Sequence, residues 1–117
     1  MDYLRVLRAF EKVETENVSS RTLYVCVRAL IKMFEQNNAF NYKQGAFRIA
    51  SDLVENYDET LNREMLSSLC LFLSDCYVDG EVVERDLDKA LSYLKEFAYQ
   101  GISDVIMKQI VCDWLDE

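Results

Sequence analysis

The sequence predicts an all-α fold, on three observations. Its 117 residues include no proline and three glycines, Gly45, Gly80 and Gly101, so the usual helix breakers are nearly absent. Apolar residues recur at i, i+3, i+4 and i+7 along most of the chain, the period of one helix face. No stretch alternates apolar and polar residues as a strand would. The Val82-Val83 pair is too brief and lies between Gly80 and acidic residues, where a loop fits better. About six antiparallel helices, paired as hairpins, are expected.

The elements follow in order. Leu4, Leu7 and Phe10 predict a first helix over about residues 2–14. Leu23, Cys26, Val27, Leu30 and Phe34 predict a second, capped at Ser19 or Ser20, whose hydroxyls can accept from free first-turn N–H groups. Beyond an Asn-rich turn, Phe47, Ala50, Leu53 or Val54, and Tyr57 give a third helix its face. Leu66, Leu69, Cys70, Leu73, Cys76 and Tyr77 give the fourth its own. Leu87, Ala90, Leu91, Leu94, Phe97 and Ala98 make the fifth, which starts behind an Asp86 cap and stops before Gly101. Ile102, Val105, Ile106 and Ile110 define a sixth over 102–116, ending in Trp114 among three carboxylates, which suits a cap. The connections at 15–19, 37–41, 57–61, 79–86 and 100–103 are short, so successive helices run antiparallel. No linker rich in Pro, Gly or Ser divides the chain, and residues 1–117 read as one helical domain.

Half the residues are hydrophobic and 29% are charged. A domain this long buries roughly two-thirds of the surface of its unfolded chain, enough for a core without metal or disulfide staples. The N-terminal residues carry neither a signal-peptide core nor a span of about 20 apolar residues, so a cytoplasmic location is expected. Cys26, Cys70, Cys76 and Cys112 each sit among apolar neighbours and read as reduced thiols packing as small hydrophobes. With no histidine and no Cys-x-x-Cys spacing, a structural zinc site is not expected.

Charge is unevenly distributed. Residues 1–50 hold 8 Lys+Arg and 5 Asp+Glu, net +3, whereas residues 51–117 hold 5 and 16, net −11. An acidic surface repels phosphate backbones and anionic headgroups, which argues against nucleic acid and membrane as direct partners. It attracts a basic protein instead and speeds its association by steering. Arg5, Arg8, Lys12, Arg21, Arg28 and Lys32 are interspersed along the first two helices and read as a solvated face.

Residues 69–101 carry the most specific pattern. Leu73-Ser74-Asp75-Cys76-Tyr77-Val78-Asp79-Gly80 ends one helix, Glu81-Val82-Val83-Glu84-Arg85-Asp86 forms a loop, and Lys89-Ala90, Tyr93-Leu94, Ala98 and Gly101 lie on the next. This resembles a SEL-like repeat, a variant of the tetratricopeptide helix hairpin, with Tyr77, Gly80, Val83, Asp86, Lys89, Ala90, Ala98 and Gly101 in register. The residues also have their own physical reasons: Gly80 allows positive φ, Asp86 caps, and Ala90 and Ala98 let helix backbones approach. Ser74 and Val82 replace glycines of the family pattern, Phe97 an alanine, and Tyr93-Leu94 a Trp-Tyr pair. The resemblance implies a short α-solenoid of stacked hairpins serving as a protein-interaction scaffold. One hairpin cannot bury its own face, so neighbours are needed on both sides.

Catalytic templates are missing. Without histidine there is no Ser-His or Cys-His pair, and there is no Gly-rich Lys-Ser/Thr loop to cradle phosphate. Carboxylate pairs such as Asp86 and Asp88, or Glu81 and Glu84, read as a solvated loop, and the calcium-loop spacing is absent around Asp75, Asp79, Glu81 and Glu84. Tyr77, Tyr93 and Phe97 occupy positions that pack between helices, while Tyr99 falls off the apolar stripe. No enzyme activity, cofactor or metal is expected. By size and charge the chain is similar in type to the immunity proteins that neutralise bacterial toxins, many of them basic nucleases. On that reading Asp75, Asp79, Glu81, Glu84, Asp86 and Asp88 bind the partner, and the chain itself is a monomer or dimer. The alternative is a structural or regulatory subunit that docks onto a larger assembly or a copy of itself.

Overall fold

A computed structural model describes residues 18–99 together with Gln109, Cys112 and Asp113, the side chains of 97–99 excepted. The described residues are helical throughout, with turns between helices and no strand among them. Among the described residues four helices have both ends defined, against the six expected: α1 Ser20–Asn37, α2 Phe40–Glu55, α3 Arg63–Asp79 and α4 Leu87–Tyr99. The predicted helix over 2–14 lies outside the described residues. So does most of the one over 102–116, of which Gln109, Cys112 and Asp113 are helical, with the Gln109 amide donating to Asp113 at 3.0 Å. The chain divides into two compact units between Leu61 and Asn62. In the first α1 packs on α2, and in the second α3 packs on α4.

The first hairpin forms because its caps and its stripe agree. Ser19 is the N-cap of α1, its Oγ accepting from Thr22 N–H at 3.2 Å. Leu23, Cys26, Val27, Ala29, Leu30 and Met33 are buried, whereas Phe34, expected in the core, is half-buried. Asn38 ends the helix in the left-handed conformation at φ 53°, donating to the Phe34 carbonyl at 2.7 Å. Only Ala39 then separates it from α2. There Ala46 and Ala50 are fully buried with Ile49 and Leu53, and two alanines on the inner face let the backbones approach closely. Leu53 points inward and Val54 is half-buried, which resolves that pair. Tyr57 does not extend the face as expected: α2 stops at Glu55, and Tyr57 is 49% exposed.

The second hairpin spans the segment in which a SEL-like repeat is expected. Asn62 caps α3 through Met65 N–H at 2.9 Å, and Leu66, Leu69, Cys70, Leu73, Cys76 and Tyr77 are all buried, as their spacing predicts. Gly80 closes α3 at φ 70°, a region a side chain enters at a cost of about 1–2 kcal/mol. Asp86 is the N-cap of α4, with Oδ1 accepting from Lys89 N–H at 3.0 Å. Ala90 and Leu94 are fully buried; Leu91 is half-buried, and Leu87, at the first position of α4, is 38% exposed instead of lying in the core. Ser74 stands where the family pattern has glycine, is fully buried, and donates across the hairpin to the Ala90 carbonyl at 3.0 Å.

Three of the four cysteines behave as expected. Cys26, Cys70 and Cys76 are buried free thiols, but Cys112 is a free thiol on the surface instead of packing as a small hydrophobe. No described helix is long and apolar enough to cross a membrane.

Candidate functional site

The connector between α3 and α4 holds three of the six acidic residues singled out in the sequence, and the other three lie on the helices beside it. Asp75 and Asp79 lie one turn apart on the exposed face of α3, Glu81 and Glu84 are exposed on the connector, and Asp88 is exposed in the first turn of α4. At that last position a carboxylate also interacts favourably with the positive end of the helix dipole. Asp86 is exposed too, but one of its oxygens is committed to the Lys89 N–H and its own N–H donates to the Tyr77 carbonyl at 3.0 Å. It holds the connector closed across nine residues.

Further contacts stiffen the same region. Lys89 Nζ lies 5.5 Å above the Tyr77 ring, and Tyr77 stacks on Tyr93 with centroids 5.8 Å apart at 17°. Tyr77 is buried as predicted, and Tyr93 is half-buried, one face given to this stack. Within the connector Val82 and Val83 are half-buried and Leu87 is exposed. Acidic and apolar side chains thus share one short segment whose backbone is tied at both ends. Such a surface pairs with cationic side chains and covers an apolar residue between them. Among the described residues no group of three or more Cys, Asp or Glu is arranged to hold a metal ion.

A second polar centre lies in the first unit and was missed in the sequence. Asp58 Oδ2 accepts from Ser20 N–H at 3.2 Å, and Ser20 Oγ accepts from Asp58 N–H at 2.8 Å, a reciprocal pair across 38 residues. Asp58 Oδ1 accepts from Thr60 N–H at 2.8 Å and from its hydroxyl, while Thr60 Oγ1 accepts from Arg21 N–H at 2.9 Å. With Ser19 on Thr22, the first three N–H groups of α1 are all satisfied by side chains. These hydrogen bonds, those from Thr60 first, hold the Asp58 carboxyl below the usual carboxylate range. The Asp-x-Thr spacing is the only local signal for it, since an Asp that binds the backbone two residues on is a turn former; its target, α1, is distant in sequence. Beside this clamp Val18, Leu23, Leu53, Asp52 and Asn56 line an open depression of about 310 Å³.

Two of the buried thiols have raised pKa values. Burial pushes the Cys26 thiol up, and burial with nearby Glu96 pushes Cys70 up to about 11, so both are protonated at neutral pH. Comparison with known proteins finds no significant match to any family, characterised protein or solved structure.

Proposed function

We propose that this chain is a non-enzymatic protein-interaction module, built from helix hairpins of the SEL-like kind, that binds a basic protein through the α3–α4 connector. In its sharper form it is an immunity or inhibitor protein, covering the cationic surface of a partner such as a toxin nuclease. The observation that carries the proposal is the tethered acidic connector: Asp79, Glu81, Glu84 and Asp88 are exposed in the same segment as Val82, Val83 and Leu87, on backbone held by Gly80 and Asp86. A surface ordered before binding loses less entropy when a partner arrives, so its charge is spent on affinity and on-rate. The net −11 of residues 51–117 adds long-range attraction for a cation.

The test is capture of the tagged protein's partner from its native cells at low salt, followed by reconstitution with the purified partner. A single basic protein, released by rising salt and no longer bound by the Glu81→Lys/Glu84→Lys variant, is the expected result. A Glu55→Lys control, remote in sequence and exposed, should bind as the parent does. Retention of the same partner by the doubly reversed variant would overturn the assignment of the site. Failure to retain any basic protein would overturn the function.

A further inference from the structure

We propose that the chain also associates head to tail with a second copy of itself, the outward face of α1 docking on the α3–α4 connector of its neighbour. The first surface is a cationic stripe. Arg21, Arg28 and Lys32 are all exposed, and their separations of seven and four residues, at about 100° per residue, put them within an arc of about 40° on α1. The half-buried Tyr24 and Val25 lie beside that arc, with the exposed Glu35 as the one carboxylate next to it on α1. The second surface is the complement: Glu81, Glu84, Asp86 and Asp88 are exposed, outnumbering the exposed Arg85 and Lys89, in the segment that holds the half-buried Val82 and Val83 and the exposed Leu87.

Each copy supplies both surfaces, so each is present at the concentration of the other. Because the two differ, the contact is heterologous and propagates as an open chain or closes as a ring. The net charge of −8 opposes assembly at long range. Beyond the Debye length, about 8 Å at physiological salt, that repulsion is screened, and the local match of stripe and connector decides. Few charge pairs and modest apolar area make the association weak and salt-sensitive. If the connector also binds a basic partner, as proposed above, α1 of a second copy competes for it. This last consequence rests on that reading; the self-association does not.

Sedimentation of the full chain over a range of concentrations, at about 0.05 M and about 0.5 M salt, tests it. The mass should rise with concentration at the lower salt and stay monomeric at the higher. R28E/K32E and E81K/E84K, each checked for native helicity by circular dichroism, should each stay monomeric alone. Mixed, they should co-assemble, since the intact α1 of E81K/E84K meets the intact connector of R28E/K32E and the reversed α1 of R28E/K32E matches the reversed connector of E81K/E84K. A wild-type monomer at every low-salt concentration, assembly of R28E/K32E like wild type, or no complex in the mixture would each overturn the proposal. R28E/K32E keeps its acidic connector and should still bind a basic partner. Monomeric wild type that binds such a partner therefore fails this inference alone, whereas assembly without partner binding fails only the proposed function.

Discussion

Asp58 shows how one exposed residue can organise a hairpin. Its carboxylate and the Ser20 hydroxyl exchange hydrogen bonds with each other's backbone, and its second oxygen holds Thr60 where that hydroxyl caps Arg21 N–H. Since its folded pKa lies below the unfolded value, its contribution is complete above the ordinary carboxylate pKa and is lost as pH falls through the folded one. Asp58→Asn should lower stability at neutral pH and flatten the acid side of the stability profile, measured by urea unfolding from neutral pH down to about pH 3. An unchanged acid limb would show that the carboxylate is not the group that titrates. Ser74 acts differently, as a buried donor to a carbonyl across the hairpin. Ser74→Ala should cost about 0.5–1.5 kcal/mol in unfolding free energy, the net worth of one such bond. Ser67, whose buried Oγ has no hydrogen-bond partner, should accept alanine without loss, because no bond is broken and a desolvated hydroxyl is removed.

Helices were legible in the sequence where two local signals coincided. Caps and stripe agree for α1 and α3, and the starts at Ser19 and Asp86 and the stop at Gly80 fall where propensity and φ demand them. The stripe alone misled at helix ends. Tyr57 and Leu87 keep the period but sit past the last turn or at the first position, where the partner helix no longer covers them. Cross-hairpin contacts such as Ser74 to Ala90 and Asp58 to Ser20 leave no periodic trace, since their partners are set by tertiary packing. The glycines separate the two kinds of information. Gly45 lies inside α2, and a Cβ there would meet Leu30 Cδ1 at 3.6 Å, ordinary contact. Gly45→Ala should therefore stabilise the protein by about 0.5–1 kcal/mol through helix propensity. Gly80→Ala should do the reverse and cost about 1–2 kcal/mol. Its Cβ would lie 3.1 Å from Arg85 Cβ at a φ of 70°, so the connector would have to move as well.

At the scale of the molecule, the sequence displayed the acidic bias and the all-α class; it did not display that the acidic connector is tethered, with Val82 and Val83 half-buried and Leu87 exposed. Charge is additive along a chain and can be counted, whereas the tether depends on Asp86 reaching back to Tyr77. Thiols report whether each unit is closed as a whole. Cys26 is buried in the first unit, Cys70 and Cys76 are buried in the second, and Cys112 is exposed. A thiol-specific disulfide reagent should therefore consume one thiol per chain promptly under native conditions, and all four in denaturant. Raising the pH from 7 to 9 should leave the Cys70 thiol, held at about 11, still protonated in the folded chain. The slow phases then measure opening, because a fully covered sulfur reacts only after its surroundings unfold. Cys26→Ser should remove a slow phase belonging to the first hairpin and leave that of Cys70 and Cys76 in place. If instead all slow thiols react at one rate in every single-cysteine variant, the two hairpins open together as one cooperative unit. Distinct rates, shifted separately by Asp58→Asn and Gly80→Ala, would show that each hairpin opens on its own and that the clamp and the connector each govern one of them.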